Sequence, residues 1–341
     1  MTTPGAAATP TASADPARAW TRATLRPADW LVPVPDACVA ELDAVAAHVS
    51  AQPAPVETLR PESFRLEACA ALMDRVRDVL ERGPGLAVVD RIPVERYGVD
   101  ENRAIGWLLA AMLGPIVAQK WDGTRIYDVR DLGRPLGYGV RRSITNLDQP
   151  FHTDGPWLWM PAAFVGLFCL QPALEGGLSR FAGLVTAHEA LQRRHPDLLD
   201  RLYRPFRWDR QAEHGPDEPR FATHPVFQRD ARGRLIARHY EDYVHSGYAL
   251  AGEALDEAGR EALAALRAIV DDPAHWVEFR IERGQLQYLD NRQFAHSRTA
   301  FRDPPDRAVH RHMIRFWNRP EGGPGLEGDG ERQRPSERSQ P

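Results

Sequence analysis

The sequence predicts a mixed α+β protein. Its expected core is a sandwich or jelly roll of antiparallel strands, with helices placed before it and inserted into it. Two observations lead there. Apolar residues recur at three-and-four spacing through the first third of the chain, and beyond Ile116 the pattern breaks into short β-like runs. A third observation narrows the choice: the regular strand–helix alternation of a parallel sheet is missing.

The elements follow in chain order. Residues 1–28 are small, Pro-rich and aperiodic, and are expected to be disordered. The span from Pro35 to Val49 places Val39, Leu42, Val45 and Val49 on one helical face. Pro61 to Glu81 repeats the pattern with Phe64, Ala68, Leu72, Val76 and Val79, and Gly83-Pro84 stops it. The run from Gly85 to Val89 reads as a buried strand, and Asp100 is expected to cap a third helix ending at Gly114-Pro115. Strand-like runs then cover 126–129, 164–170, 179–185, 276–281, 286–289 and 313–317, with helices at 187–194, 196–203 and 253–270. The tail, residues 319–341, is of low complexity and is expected to be disordered. Residues 29–318 therefore form one domain, with no internal repeat and no Gly/Ser linker.

Composition excludes several classes. The 341 residues carry a net charge of −4, which argues against a protein built to neutralise nucleic-acid phosphates. Lys120 is the only lysine, so 42 of the 43 basic residues are arginine, a bias that reads first as GC-rich coding. Cys38, Cys69 and Cys169 are far apart in sequence and odd in number, which suggests neither a disulfide framework nor a CxxC site. The longest apolar stretch, Trp157 to Leu170, is broken by Pro161 and too short to cross a bilayer. With no basic-then-apolar leader at the start, a soluble, cytoplasmic protein that is not membrane-bound is expected.

The chemistry concentrates in two segments. In Phe151-His152-Thr153-Asp154-Gly155, residues two apart on a strand share a face, so His152 and Asp154 point together and Thr153 points away. An imidazole and a carboxylate side by side are two corners of a metal site, and a third neutral nitrogen would complete a facial triad that leaves one face of Fe(II) open. Taken alone, HxD is weak, because a lone His-Asp pair is more often a satisfied surface hydrogen bond than a metal site. The second segment, Asp290-Asn291-Arg292 through His296-Ser297-Arg298-Thr299-Ala300-Phe301, follows a strand-like run and is itself followed by Arg311-His312-Met313-Ile314-Arg315.

HTD, then DNRxxxHxRTxF, then RxxxR, in this order over roughly residues 83–318, resembles the Fe(II)/2-oxoglutarate-dependent dioxygenases of the taurine dioxygenase (TauD/TfdA) and clavaminate synthase-like superfamily. The resemblance implies a double-stranded β-helix, with His152, Asp154 and His296 as catalytic iron ligands. It implies that Ser179, in Gly176-Gly177-Leu178-Ser179, and Arg311 hold the distal carboxylate of 2-oxoglutarate. Arg315 matches a second arginine near the cosubstrate or an anionic group of the substrate. The cosubstrates implied are 2-oxoglutarate and O2, with succinate and CO2 released and an aliphatic C–H of a small molecule oxidised. Arginine suits a buried carboxylate because its fork binds in two places, whereas lysine is a point charge. The presence of Asp154 favours hydroxylation, desaturation or oxidative cyclisation over halogenation, since halogenating relatives carry a small residue there. The DNR…HxRTxF variant is more similar to the clavaminate and γ-butyrobetaine branch, which favours an amino-acid-like or specialised-metabolite substrate in biosynthesis. Other readings on the same fold are a zinc hydrolase, a nucleic-acid demethylase and a silent binding protein. Self-association into a homo-oligomer is compatible with the sequence.

Further residues have a bland and a sharp reading. Asn146, Arg141, Trp157 and Tyr240 are candidates for substrate contact. Trp157 and Trp159 could equally be core, and the polar, aromatic run Arg238 to Tyr243 could equally be a solvated lid. Arg142 lies near the same entrance, and His224 is as readily structural as pocket-lining. Arg298 is expected to form an ion pair, with Asp290 as the candidate partner. His188, His195, His214 and His275 read as ordinary residues. Alternation turns His310 and His312 away from the side of the strand that Arg311 uses.

Overall fold

Alternation along the strands sorts the chain into two sheets, as seen in a computed structural model that describes residues 17–320. The expected disorder of 1–16 and 321–341 lies outside the described residues. Ten strands build the sheets: β1 (Leu31–Pro33), β2 (Leu86–Asp90), β3 (Tyr127–Val129), β4 (Gln149–His152), β5 (Phe164–Gln171), β6 (Ser179–Gly183), β7 (Trp276–Phe279), β8 (Leu286–Asp290), β9 (Phe294–Arg298) and β10 (His312–Asn318). The larger sheet has the order β1-β2-β8-β5-β10-β3, and the smaller one β7-β6-β9-β4. Only β1 and β2 run parallel; the other pairings within these two sheets are antiparallel. This is the jelly roll that the short strands imply, with helices before it and inserted in it.

The two faces of the larger sheet have different tasks. Ala87, Val89, Phe168, Tyr288, Ile314 and Phe316 point outward into a cluster with the N-terminal helices α1 (Asp36–Ala51), α2 (Glu67–Glu81) and α3 (Val99–Met112). Their alternates on β5 and β10, among them Leu167 and Arg315, point inward at the smaller sheet. Four helices follow β6: α4 (Leu184–Arg194), α5 (Pro196–Leu202), α6 (Glu241–Ala251) and α7 (Glu257–Val270). With the hairpin of 205–209 and 221–225 they form the insertion between the two histidine motifs.

Several boundaries differ from the sequence reading, each for a local reason. Helix α2 starts at Glu67, not Pro61, because Pro61–Ser63 form a separate 3-10 turn. Its first amides are capped from outside: the Glu41 carboxylate of α1 accepts from the backbone N–H of Ala68 and Cys69, both at 2.8 Å. Asp100 is not a cap; Gly98 occupies that position and Asp100 lies in the first turn of α3, where its charge suits the helix dipole. The third predicted helix of the insertion starts at Glu257, capped by Asp256 accepting from Gly259 N–H. Helix α6 was not foreseen, because it grows out of the polar run at Arg238–Tyr243.

Residues 17–28 are docked rather than loose. Trp20 is buried, stacks on Phe294 with ring centroids 5.5 Å apart, and donates from Nε1 to Pro84 O. Arg18 is also buried, 3.4 Å from Asp290 Oδ2. Gly85 sits at φ +77° beneath them, and a Cβ there would collide with Arg18 and Phe294. The cysteines far apart in sequence are not all apart in space: Cys38 Sγ on α1 lies 2.7 Å from Cys69 Sγ on α2, both buried.

Candidate metal centre and its surroundings

Pairing of β4 with β9 sets His152 directly opposite His296 in register. Strand β4 ends at His152, and Asp154 lies just beyond it, yet the shared face predicted from the HxD spacing is kept. Asp154 Oδ1 is 3.5 Å from His152 Nε2 and 3.9 Å from His296 Nε2. One ligand atom from each of the three residues fits within a 4.8 Å cluster, and all three are buried or nearly so. Thr153 points away as alternation requires. Its N–H donates to His239 O at 2.7 Å, and its hydroxyl accepts from His239 N–H at 3.0 Å.

Nearby groups fix these ligands. His152 Nδ1 donates to Pro150 O at 2.9 Å, which leaves Nε2 as the lone-pair nitrogen that a metal requires. Asn291, in the DNR motif, accepts from Asp154 N–H at 2.7 Å and donates to Asp154 O at 3.0 Å. The neighbouring Arg292 donates from Nε and Nη2 to Pro161 O. Sequence reasoning assigned Asn291 no such role; its place beside Asp154 emerges only when β8 meets the end of β4.

Charge state matches ligation. Burial pushes the Asp154 carboxyl up, but the Arg315 guanidinium beside it outweighs this and holds the group well below the usual carboxylate range. Burial, aided by His152 and Arg315, pushes the His296 imidazole down to about 3. A carboxylate beside a neutral imidazole is the donor set of a divalent metal with N and O preferences.

Between the sheets a cavity runs from the two histidines to Arg311, lined also by Ser179, Gln287 and Arg298. Arg311 is buried and forms no ion pair among the described residues; Nη2 reaches only Met313 Sδ, while Nε and Nη1 have no partner. Burial lowers its pKa to about 10, so it stays a cation at neutral pH. A buried cation with open donors is the chemical complement of a carboxylate-bearing cosubstrate. The expected Arg298–Asp290 pair does not form. Asp290 pairs with Arg18, while Arg298 donates to Thr145 O and Leu147 O and keeps Nε and Nη1 unpartnered in the cavity. Phe301 lies between Arg298 and Arg311, 4.8 and 5.1 Å from their guanidinium carbons.

Arg315 is placed differently from Arg311. Its Nη1 lies 3.2 Å from Asp154 Oδ2 and its Nε donates to Gln119 Oε1 at 2.6 Å, so its first contact is a ligand residue. Nη2 remains buried and unpartnered.

Of the substrate candidates, three reach the site. Arg141, Trp157 and Tyr240 line the cavity on the Asp154 side, with the Tyr240 ring 5.2 Å from His152. Arg141 is already paired with Glu213 at 2.6 Å. Asn146 is not at the cavity: it is exposed, and its carbonyl accepts from Phe301 N–H, because the loop before β4 turns it outward. Trp159 is 43% exposed and is neither core nor floor. His224 donates towards Trp157 O at 3.1 Å and supports the cavity wall from behind, while His312 turns to Asp128.

The fold and the site together define a non-haem iron oxygenase of the jelly-roll class. Residues 52–317 match the family model described as taurine catabolism dioxygenase TauD, TfdA family, and the chain belongs to that family. It is therefore an iron- and 2-oxoglutarate-dependent dioxygenase. FR-33289 synthase of Streptomyces rubellomurinus is 29% identical over 310 residues, 89% of each chain. A uridine-5'-phosphate dioxygenase of a Streptomyces species is 31% identical over 187 residues, covering 52% of this chain and 68% of that one. Asparagine oxygenase, solved with Fe(II), 3-hydroxyasparagine and succinate, superposes with a TM-score of 0.64 at 22% identity, covering 85% of this chain and 93% of that one. The non-heme iron oxygenase OrfP, solved with Fe, succinate and (3S)-hydroxy-L-Arg, superposes with a TM-score of 0.64 at 14% identity, covering 84% and 94%. Among the described residues no helix is long and apolar enough to cross a membrane.

Proposed function

We propose that the enzyme hydroxylates an aliphatic C–H of a small amino-acid-like or natural-product molecule. In this reading His152, Asp154 and His296 hold Fe(II), and Arg311 with Ser179 and Arg298 holds 2-oxoglutarate. The observation that carries it is the buried, unpaired Arg311 in one cavity with a facial His–Asp–His set. A zinc hydrolase needs no such cation, and a silent binding fold has no need of intact ligands. The names of FR-33289 synthase, asparagine oxygenase and OrfP support the substrate class.

When bound, the metal and keto acid supply oxygen activation, with succinate and CO2 as the cosubstrate's products. The protein's own groups do the rest. Two neutral imidazoles and one carboxylate leave a divalent metal one residual positive charge, which favours an anionic keto acid. Arg311 and Ser179 fix the far end of that acid, so its reactive end is presented at the ligands. Trp157, Tyr240 and Tyr243 wall the Asp154 side of the cavity; Tyr240 stacks on Tyr243 at 3.9 Å, which limits water beside the ligands. Arg141, Trp157 and Tyr240 line the side of the cavity where a substrate would lie next to His152 and Asp154.

Adding Fe(II) and 2-oxoglutarate without oxygen should give a visible metal-to-ligand charge-transfer band. Its absence would remove both cofactor assignments at once. With air admitted, a succinate-release screen over amino acids and acyl metabolites should give at least one substrate-dependent signal, whose product then distinguishes hydroxylation from desaturation or cyclisation.

A further inference from the structure

We infer that Trp317 is a positioning residue that makes Asp154 a one-oxygen ligand and so keeps a coordination position free. The inference rests on the metal-centre reading above. Trp317 lies on β10 two residues beyond Arg315, so both side chains project from the same inner face. Its indole Nε1 donates to Asp154 Oδ2 at 2.8 Å, the atom that Arg315 Nη1 approaches at 3.2 Å. Oδ2 thus has two donors, while Oδ1 faces both histidine Nε2 atoms. Only Oδ1 is left for a metal.

The clamp is built rather than incidental. Trp317 is 2% exposed, and the Arg315 guanidinium lies between the rings of Trp317 and Tyr127, 5.2 and 4.8 Å from their centroids. Gln119 fixes the arginine: its Oε1 accepts from Arg315 Nε, and its Nε2 donates to Arg315 O and Arg125 O, each at 2.8 Å. Gly155 follows Asp154 at φ +60°, and a Cβ there would lie 3.2 Å from the indole edge and 2.7 Å from Leu158 Cδ1. The residue after the ligand therefore leaves room for the indole.

One-oxygen ligation matters arithmetically. An octahedral metal with three protein donors has three positions left; a chelating keto acid takes two and oxygen the third. A carboxylate free to chelate through both oxygens would occupy one of them. Groups that orient a ligand in this way are worth about 10–100-fold in metal affinity.

The test uses the whole chain loaded with Co(II), whose binding and visible d–d spectrum are read without turnover. Trp317→Phe removes the N–H and some volume. Replacing Trp317 by the isosteric β-(3-benzothienyl)alanine removes only the N–H, so it remains informative if the Phe variant folds poorly. The isosteric variant should keep the metal-free melting temperature, lose about tenfold or more in Co(II) affinity, and show a changed d–d spectrum. Its 2-oxoglutarate affinity in the Co(II) form should also fall. If wild type binds Co(II) and the isosteric variant matches it in affinity and spectrum, the inference is overturned while the metal-centre reading stands. If wild type binds no Co(II), both fall.

Discussion

A buried guanidinium without an anion is costly, because desolvation is not offset by any partner. Arg311 has no ion-pair partner among the described residues, and in the function proposed above the carboxylate of 2-oxoglutarate offsets most of that cost. Arg311→Met should therefore leave the ligand-free protein as stable or more stable, while abolishing the rise in melting temperature that saturating 2-oxoglutarate gives the wild type. Thermal scans with and without the keto acid check both halves; a less stable ligand-free variant would mean that Arg311 is structural. For the ligands, His152→Ala or His296→Ala should abolish iron-dependent succinate formation while circular dichroism stays native, and unchanged turnover in either would sink the assignment. At this scale the sequence was most informative where chemistry depends on local spacing, as at His152 and Asp154. It was least informative where a partner is set by the fold: Arg298 was matched with Asp290, although the close cation there is Arg18, well over 200 positions earlier. Trp317 was visible only as the last residue of a strand-like run, since nothing local says that its N–H meets Asp154.

Elements behave in the same way, with periodic ones legible and borrowed ones not. Helix α1 announces itself through apolar spacing, and α3 through the Asp100 and Gly114-Pro115 that bracket it, although Gly98 is the actual cap. The start of α2 depends on a carboxylate from α1, and no local signal at Leu66 reveals it. The docked residues 17–28 are the largest departure, because their low-complexity neighbours mask one anchor. Trp20 packs on Phe294, two positions before His296 on the same strand, and its indole bonds to the turn that leads into β2. Trp20→Ala should cost about 3–5 kcal/mol, the usual range for emptying a buried aromatic site, read as a lower urea midpoint. A loss under about 1 kcal/mol would show that the segment merely rests on β9, since that is the size of a surface change.

The whole molecule joins a compact two-sheet core to a large helical insertion, and one buried histidine ties that insertion to itself. His188 on α4 faces the Tyr203 hydroxyl at 2.8 Å and the edge of Phe227, whose strand also supplies Arg229. His152 and His296, on either side of the insertion in sequence, face each other across β4 and β9; how the insertion packs was not legible, since His188 looks ordinary in sequence. Burial, with Arg229 adding to it, lowers the His188 pKa to about 4 from an ordinary value near 6.5. The folded state thus resists a proton that the unfolded chain accepts. Stability from this group is fully present above pH 6.5, falls as the pH drops from there towards 4, and is constant below. Its size is at most about 3 kcal/mol for a shift of this extent. Melting temperatures measured across pH 7.5 to 4.5 on the metal-free protein should fall, and His188→Gln should make that slope shallower because its own imidazole no longer titrates, while His239 and His296, also lowered by burial, carry the rest. An unchanged slope in the variant would move the acid sensitivity to other groups, first the buried His239 and His296, and leave His188 as packing alone.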